Sequence, residues 1–203
     1  MGNGEVDGLV LNTTGVALTK RVITDCGLQP GDRILVTGTM GDHGLAIMAT
    51  RNELALETTL ESDVAPVHGL VRRALEVGGR GVVALKDPTR GGLSSALHEM
   101  ADKSKVGIVI DETTVPLRDE VRAVGELLGI DPLVSANEGK AVLGVKADVA
   151  AAVLDAVRSH PLGRDAAIVG ECVEERPGFV VLDTGFGSRL LSEPEGELLP
   201  RIC

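Results

Sequence analysis

Short apolar runs alternate along this chain with stretches whose apolar residues recur every three or four positions, and that alternation leaves few folds open. Ile34-Leu35-Val36-Thr37, Val82-Val83-Ala84-Leu85 and residues 106–110, 141–145, 166–173 and 179–183 read as strands. Between them, Val67, Leu70, Val71, Ala74 and Leu75 have the spacing of one helix face. So do Leu93, Ala96, Leu97, Met100 and Ala101; Leu117, Val121, Val124 and Leu128; and Ala150, Val153, Leu154 and Val157. Leu18, Val22, Ile23 and Cys26 predict a further helix closed by Gly27, with a short apolar run at Leu9-Val10-Leu11 before it. Ser62 or Asp63 is placed to cap the helix over 67–75, and Gly78-Gly79 to end it. Strands alternating with helices of this length predict an α/β (α+β) layer structure, a mixed sheet covered by helices. After Asp183 the pattern stops, and residues 192–203 read as a polar, proline-containing, mobile tail.

The chain has 203 residues, the size of one ordinary domain, and 43% of them are apolar, enough for a sizeable core. Thirty acids against twenty bases give a net charge of −10, a poor match for nucleic acid or for an anionic membrane surface. Phe179 and Phe186 are the whole aromatic content, which argues against base-stacking platforms. No apolar run has the length of a membrane span, and the first residues lack the pattern of a signal peptide, so the expected location is cytoplasmic. Cys26, Cys172 and Cys203 are odd in number and widely spaced, which excludes a disulfide framework and a standard zinc site. Cys26 and Cys172 fall on apolar faces and read as core thiols.

Four places can carry chemistry. Gly38-Thr39-Met40-Gly41-Asp42-His43-Gly44 follows a strand, and its glycines can bring backbone N–H groups to an anion; it is neither a Walker loop nor GxGxxG, and it also reads as a plain turn with a structural His43. Asp87-Pro88-Thr89-Arg90-Gly91-Gly92 links a strand to a helix N-terminus, where Arg90 suits a phosphate or carboxylate and Asp87 a metal or a donor. The plainer reading is a cap and turn with a solvated Arg90. Ser135-Ala136-Asn137-Glu138-Gly139-Lys140 crowds an amide, a carboxylate and an ammonium before a strand, a general-base arrangement or a surface ion pair. Cys203 closes the sequence, its thiol raised by the neighbouring terminal carboxylate and lowered by Arg201, and it also reads as an incidental terminal residue; twelve extended residues reach about 40 Å, enough to carry a thiol between two sites.

The ordered set Gly41-Asp42-His43-Gly44, Glu61-Ser62-Asp63-Val64-Ala65-Pro66, Asp87-Pro88-Thr89-Arg90-Gly91-Gly92-Leu93, Ala136-Asn137-Glu138-Gly139-Lys140, His160-Pro161-Leu162-Gly163-Arg164-Asp165-Ala166-Ala167 and Pro200-Arg201-Ile202-Cys203 resembles the HypE family of hydrogenase maturation proteins, the carbamoyl dehydratases. The resemblance implies a PurM-like (AIR-synthase-like) fold and an ATP- and Mg²⁺-dependent reaction. It further implies that a HypF carbamoyltransferase loads the thiol of Cys203, that the carbamoyl group is dehydrated to a thiocyanate, and that the cyanide passes to iron on a HypC–HypD complex. It assigns Glu138 as base and Asn137 to orient the carbamoyl amide. Arg90, Asp42 and His43 then meet phosphate or the tail, with Asp87, Gly91 and Gly92 on the nucleotide side. Family members carry a further N-terminal domain that supplies most of the ATP site and the usual homodimer. On that comparison residues 1–30 are the remnant of the N-terminal ATP-binding domain, 31–178 the C-terminal PurM-like domain, and 179–203 the last strand and mobile tail. The alternatives are a non-catalytic carbamoyl carrier and a different PurM-like ATP-dependent enzyme.

Overall fold

The computed structural model describes residues 12, 14–51 and 60–193. Among these residues seven strands form one sheet: β1 (Arg33–Val36), β2 (Val82–Lys86), β3 (Gly107–Asp111), β4 (Val142–Val145), β5 (Ala167–Val173), β6 (Val180–Asp183) and β7 (Ser188–Leu190). Their order is β2-β4-β1-β5-β3-β6-β7. The β3–β6 pair is parallel and every other neighbouring pair is antiparallel. Five helices accompany it among the described residues: α1 (Asp42–Arg51), α2 (His68–Gly78), α3 (Gly92–Ser104), α4 (Asp119–Leu128) and α5 (Ala147–Arg158).

Both faces of the sheet are covered, which is why the strands read as apolar runs and not as alternating patterns. Successive side chains of β1 point to opposite sides. Ile34 and Val36 join Leu93, Leu97 and Met100 of α3 in one core cluster. Leu35 joins Leu70 and Ala74 of α2 and Val153 and Val157 of α5 in the other. A smaller cluster, Leu45 and Ala49 with Val121 and Val124, packs α1 on α4.

The pairing directions decide where the connections lie. β1, β2, β3 and β6 run one way, and β4 and β5 the other. The segments after β1, β2, β3 and β6 therefore gather at one end of the sheet, with those preceding β4 and β5. Residues 38–42, 87–92, 135–141 and 160–166 are all among them.

Several expectations need correction. Residues 18–26 are not a helix. The Thr24 carbonyl accepts from the Leu85 N–H, and the Arg21 guanidinium donates to the Gly79 and Val82 carbonyls. The segment spends its polar groups on the β2 edge, leaving Val16, Leu18 and Val22 exposed. Cys26 is consequently half-buried beside the Thr24 hydroxyl and is not a core thiol, whereas Cys172 is buried. The glycine loop ends early, because Asp42, His43 and Gly44 already form the first turn of α1. Val67, not Ser62 or Asp63, precedes α2, with no side-chain cap. The pattern also continues past Asp183. β7 pairs with β6, but all three of its residues are exposed, so no apolar periodicity announces it. The run Leu9-Val10-Leu11 lies outside the described residues.

Leu97 is fully buried where α3 packs on the sheet. Leu97→Ala is expected to cost about 2–5 kcal/mol, read as a lower urea midpoint at unchanged m-value.

Candidate functional site

The centre of this sheet end is a buried carboxylate. Asp63, its side chain 2% exposed, lies on the stretch leading into α2. One oxygen accepts the Glu138 backbone N–H (3.0 Å); the other accepts the Asn137 amide (2.8 Å) and lies 3.1 Å from the Lys140 ammonium. Asp63 thus binds three of four consecutive residues in the turn before β4. Gly139 completes the fit, since a Cβ there would collide with the Asp63 carbonyl oxygen.

Asn137 ties this turn to two others. Its side-chain oxygen accepts the Gly41 N–H (3.0 Å), its amide also donates to the Thr39 carbonyl, and its backbone N–H donates to the Pro88 carbonyl. Asn137 is buried and its side chain is spent on protein, so it holds the turns 38–42 and 135–140 together. Glu138 is different. Its backbone is clamped, but among the described residues its half-buried carboxylate has no hydrogen-bond partner. A carboxylate held by its backbone and left unpaired is free to take a proton from a bound group.

Asp42 begins α1 completely buried. The Arg118 Nε lies 3.1 Å from one of its oxygens, yet among the described residues neither oxygen completes a well-aligned hydrogen bond. Burial pushes this carboxyl above its ordinary 3.8, against weaker downward pulls from Thr39 and Arg118. His43, half-buried, shares a hydrogen bond of 2.8 Å between its Nδ1 and the Ser62 hydroxyl, which joins α1 to the Asp63 stretch.

The 87–92 turn reaches the cluster through Pro88 and through Gly92. Gly92 has φ +58°, and a Cβ there would strike the Ser135 and Leu133 carbonyls. The glycine therefore lets the start of α3 press against protein, not against open space. Asp87 is exposed and accepts the Thr89 hydroxyl, Gly91 caps α3 in the left-handed conformation, and Arg90 is exposed. His160, whose Nδ1 accepts the Leu162 N–H, sits against Gly69 at the start of α2. Cys203 lies outside the described residues. The structure thus brings together Asp42, His43, Asn137 and Glu138 with the turn carrying Asp87, Arg90, Gly91 and Gly92.

Sequence reasoning passed over Asp63 as a hub, Lys140 as its buried partner, and Arg118. By position Asp63 reads as a helix cap. Its partners lie more than seventy residues away, and no local spacing reports that.

Residues 29–183 match the family model of the AIR synthase related protein, C-terminal domain. The carbamoyl dehydratase HypE of Bradyrhizobium diazoefficiens is 48% identical over 98% of this chain and 59% of its own length. The crystal structure of Escherichia coli HypE, a hydrogenase maturation protein, superposes with a TM-score of 0.86 at 44% identity, over 93% of this chain and 58% of that one. A HypE crystallised in complex with ATP gives 0.84 at 40% identity, over 92% and 57%. A HypE–HypF complex gives 0.81 at 40%, over 85% and 56%. The chain spans a little under three fifths of the length of these relatives.

A carboxyl raised by folding binds protons more tightly in the folded state. Its ionisation therefore costs stability as pH climbs from 3.8 through the raised value, and the cost is complete above it. Asp42→Asn does not titrate and is expected to gain on the wild type across that interval. Urea melts from about pH 4 upward check this; a difference that stays flat or moves against the variant contradicts it.

Proposed function

Because this chain belongs to the AIR synthase related family through its C-terminal domain, in the HypE hydrogenase-maturation group, we propose that it serves the dehydration of a carbamoyl group carried as a thiocarbamate on Cys203. The observation that carries this reading is Glu138, clamped by its backbone to Asp63 with its carboxylate unpaired among the described residues. Converting S–C(=O)–NH₂ to S–C≡N removes both N–H protons and the oxygen. Glu138 is the base for an N–H proton. Asn137 keeps the turns bearing Glu138 and Gly41 in register, and Arg90 and His43 flank the approach as anion and tail contacts. Lys140 balances the charge of Asp63 within the cluster.

A relative binds ATP, and a phosphoryl group is what converts a carbamoyl oxygen into a leaving group. The described residues do not fit a nucleotide by themselves: the cradle at Gly92 is filled by protein carbonyls, and Asp63 is spent on Lys140 and the 137–138 turn. On this reading the Mg²⁺–ATP site is completed by the part of the longer relatives that this chain does not span. That same length difference favours a second reading: the chain accepts the carbamoyl group and dehydrates it only when joined by that remaining part. In either reading residues 1–30 belong with that part, 31–178 form the site-bearing domain, and 179–203 carry the thiol. The partners are a HypF-type carbamoyltransferase, as one relative's complex suggests, and a HypC–HypD-type cyanide acceptor, in the cytoplasm.

Incubation with a HypF-type carbamoyltransferase, carbamoyl phosphate and ATP, followed by intact mass, tests the reading. A carbamoyl adduct confined to Cys203 and missing from Cys203→Ser is expected. Loss of water from that adduct, blocked by Glu138→Gln, indicates dehydration by this chain; a persistent adduct indicates the acceptor reading. No adduct, or one retained by Cys203→Ser, overturns both.

A further inference from the structure

A cavity of about 300 Å³ lies between α4, the turn at 129–133 and residues 112–117. That is the small end of ligand pockets, room for a few side chains and not for a nucleotide. Val115, Leu117, Ile130 and Leu133 supply its apolar wall, and Glu112, Glu126 and Asp131 make its rim acidic, with Arg122 one helical turn from Glu126. Asp131 also meets β7, since Arg189 lies 3.4 Å from its carboxylate. β7 thus runs past the cavity. Leu191 then buries itself in the core, and the Ser94 hydroxyl donates to the Ser192 carbonyl (2.7 Å).

The chain that follows this anchor has a matching composition. Glu197-Leu198-Leu199-Pro200-Arg201-Ile202 presents an acid, two leucines, a base and an isoleucine. Leu199 lies seven positions after Ser192, a reach of about 25 Å when extended. Arg189, already on the rim, is only three residues before the anchor. We propose that this cavity is a docking site for residues 197–202 of the same chain, with Leu198 and Leu199 on the apolar wall, Arg201 against Glu112 and Glu126, and Glu197 against Arg122. The inference rests on the reading of Cys203 as the reacting thiol: a tail seated here holds Cys203 away from Glu138, and its release delivers the thiol. The tail then has two alternative seats at one end of the sheet.

A nitroxide on Cys203 of the full chain reports the seat. Cys26→Ser removes the half-buried thiol, and Cys172, pushed up to about 12 chiefly by burial, stays unlabelled. Amide line broadening is expected to concentrate at Gly125, Glu126, Gly129 and Ile130. Glu126→Lys is expected to weaken it about threefold, the scale of one exposed ion pair, and Arg201→Glu in that background to restore it. Uniform broadening, broadening confined to residues 137–140, or indifference to both reversals overturns the proposal. Broadening of unlabelled chains mixed with labelled ones assigns the cavity to a second copy's tail and overturns the same-chain seat. No carbamoyl chemistry enters this readout, so it stands or falls separately from the adduct on Cys203.

Discussion

Everything at the working end of this protein hangs on the Asp63 carboxylate. It is withdrawn from water, and such a group is tolerable only with a full set of partners. Asn137, the Glu138 N–H and Lys140 supply them. Breaking a buried ion pair by removing one member typically costs about 3–5 kcal/mol, because the other is left charged and unpaired. The stretch leading into α2 and the turn before β4 are therefore locked together, and Glu138 is oriented as a consequence. Asn137 extends the same lock to Gly41 and Pro88.

The lock operates where it does because of strand order. Antiparallel pairing of β1 with β4 and β5, and of β2 with β4, sends the segments after β1 and β2 to the same end as those entering β4 and β5. The helices fill the two faces and leave that end to loops, which is where binding and catalytic groups are usually mounted on a rigid scaffold. Asp42 shows the cost of the arrangement. It is buried at the start of α1 with an ion-pair partner but, among the described residues, no well-aligned hydrogen bond, and a buried carboxylate left so is costly.

Much of the fold was legible. Strands buried on two faces leave contiguous apolar runs, and β1 to β6 were found within a residue or so of their ends. α2, α3, α4 and α5 each bury one side, and their spacing showed it. The failures have physical causes. Leu18, Val22, Ile23 and Cys26 have helical spacing, but their segment finds hydrogen-bond partners on the β2 edge. α1 starts inside a glycine-rich stretch that reads as loop, and β7 has no buried residue. The site was legible as a set of motifs and not as an arrangement. Asn137 and Glu138 were singled out by type and crowding, yet what aims Glu138 is Asp63, seventy-five positions away, and a local pattern does not report such a contact.

Amide hydrogen exchange at Glu138 in wild type and in Asp63→Ala tests this account most directly. With the carboxylate in place, the Glu138 N–H is bonded and protected. Without it, protection at Glu138 is predicted to fall at least about a hundredfold beyond any loss at the Ile108 N–H in the sheet core, the lower end of the scale of a broken buried pair confined to one local opening. Equal losses at Glu138 and Ile108 would contradict the claim that Asp63 is what holds this turn.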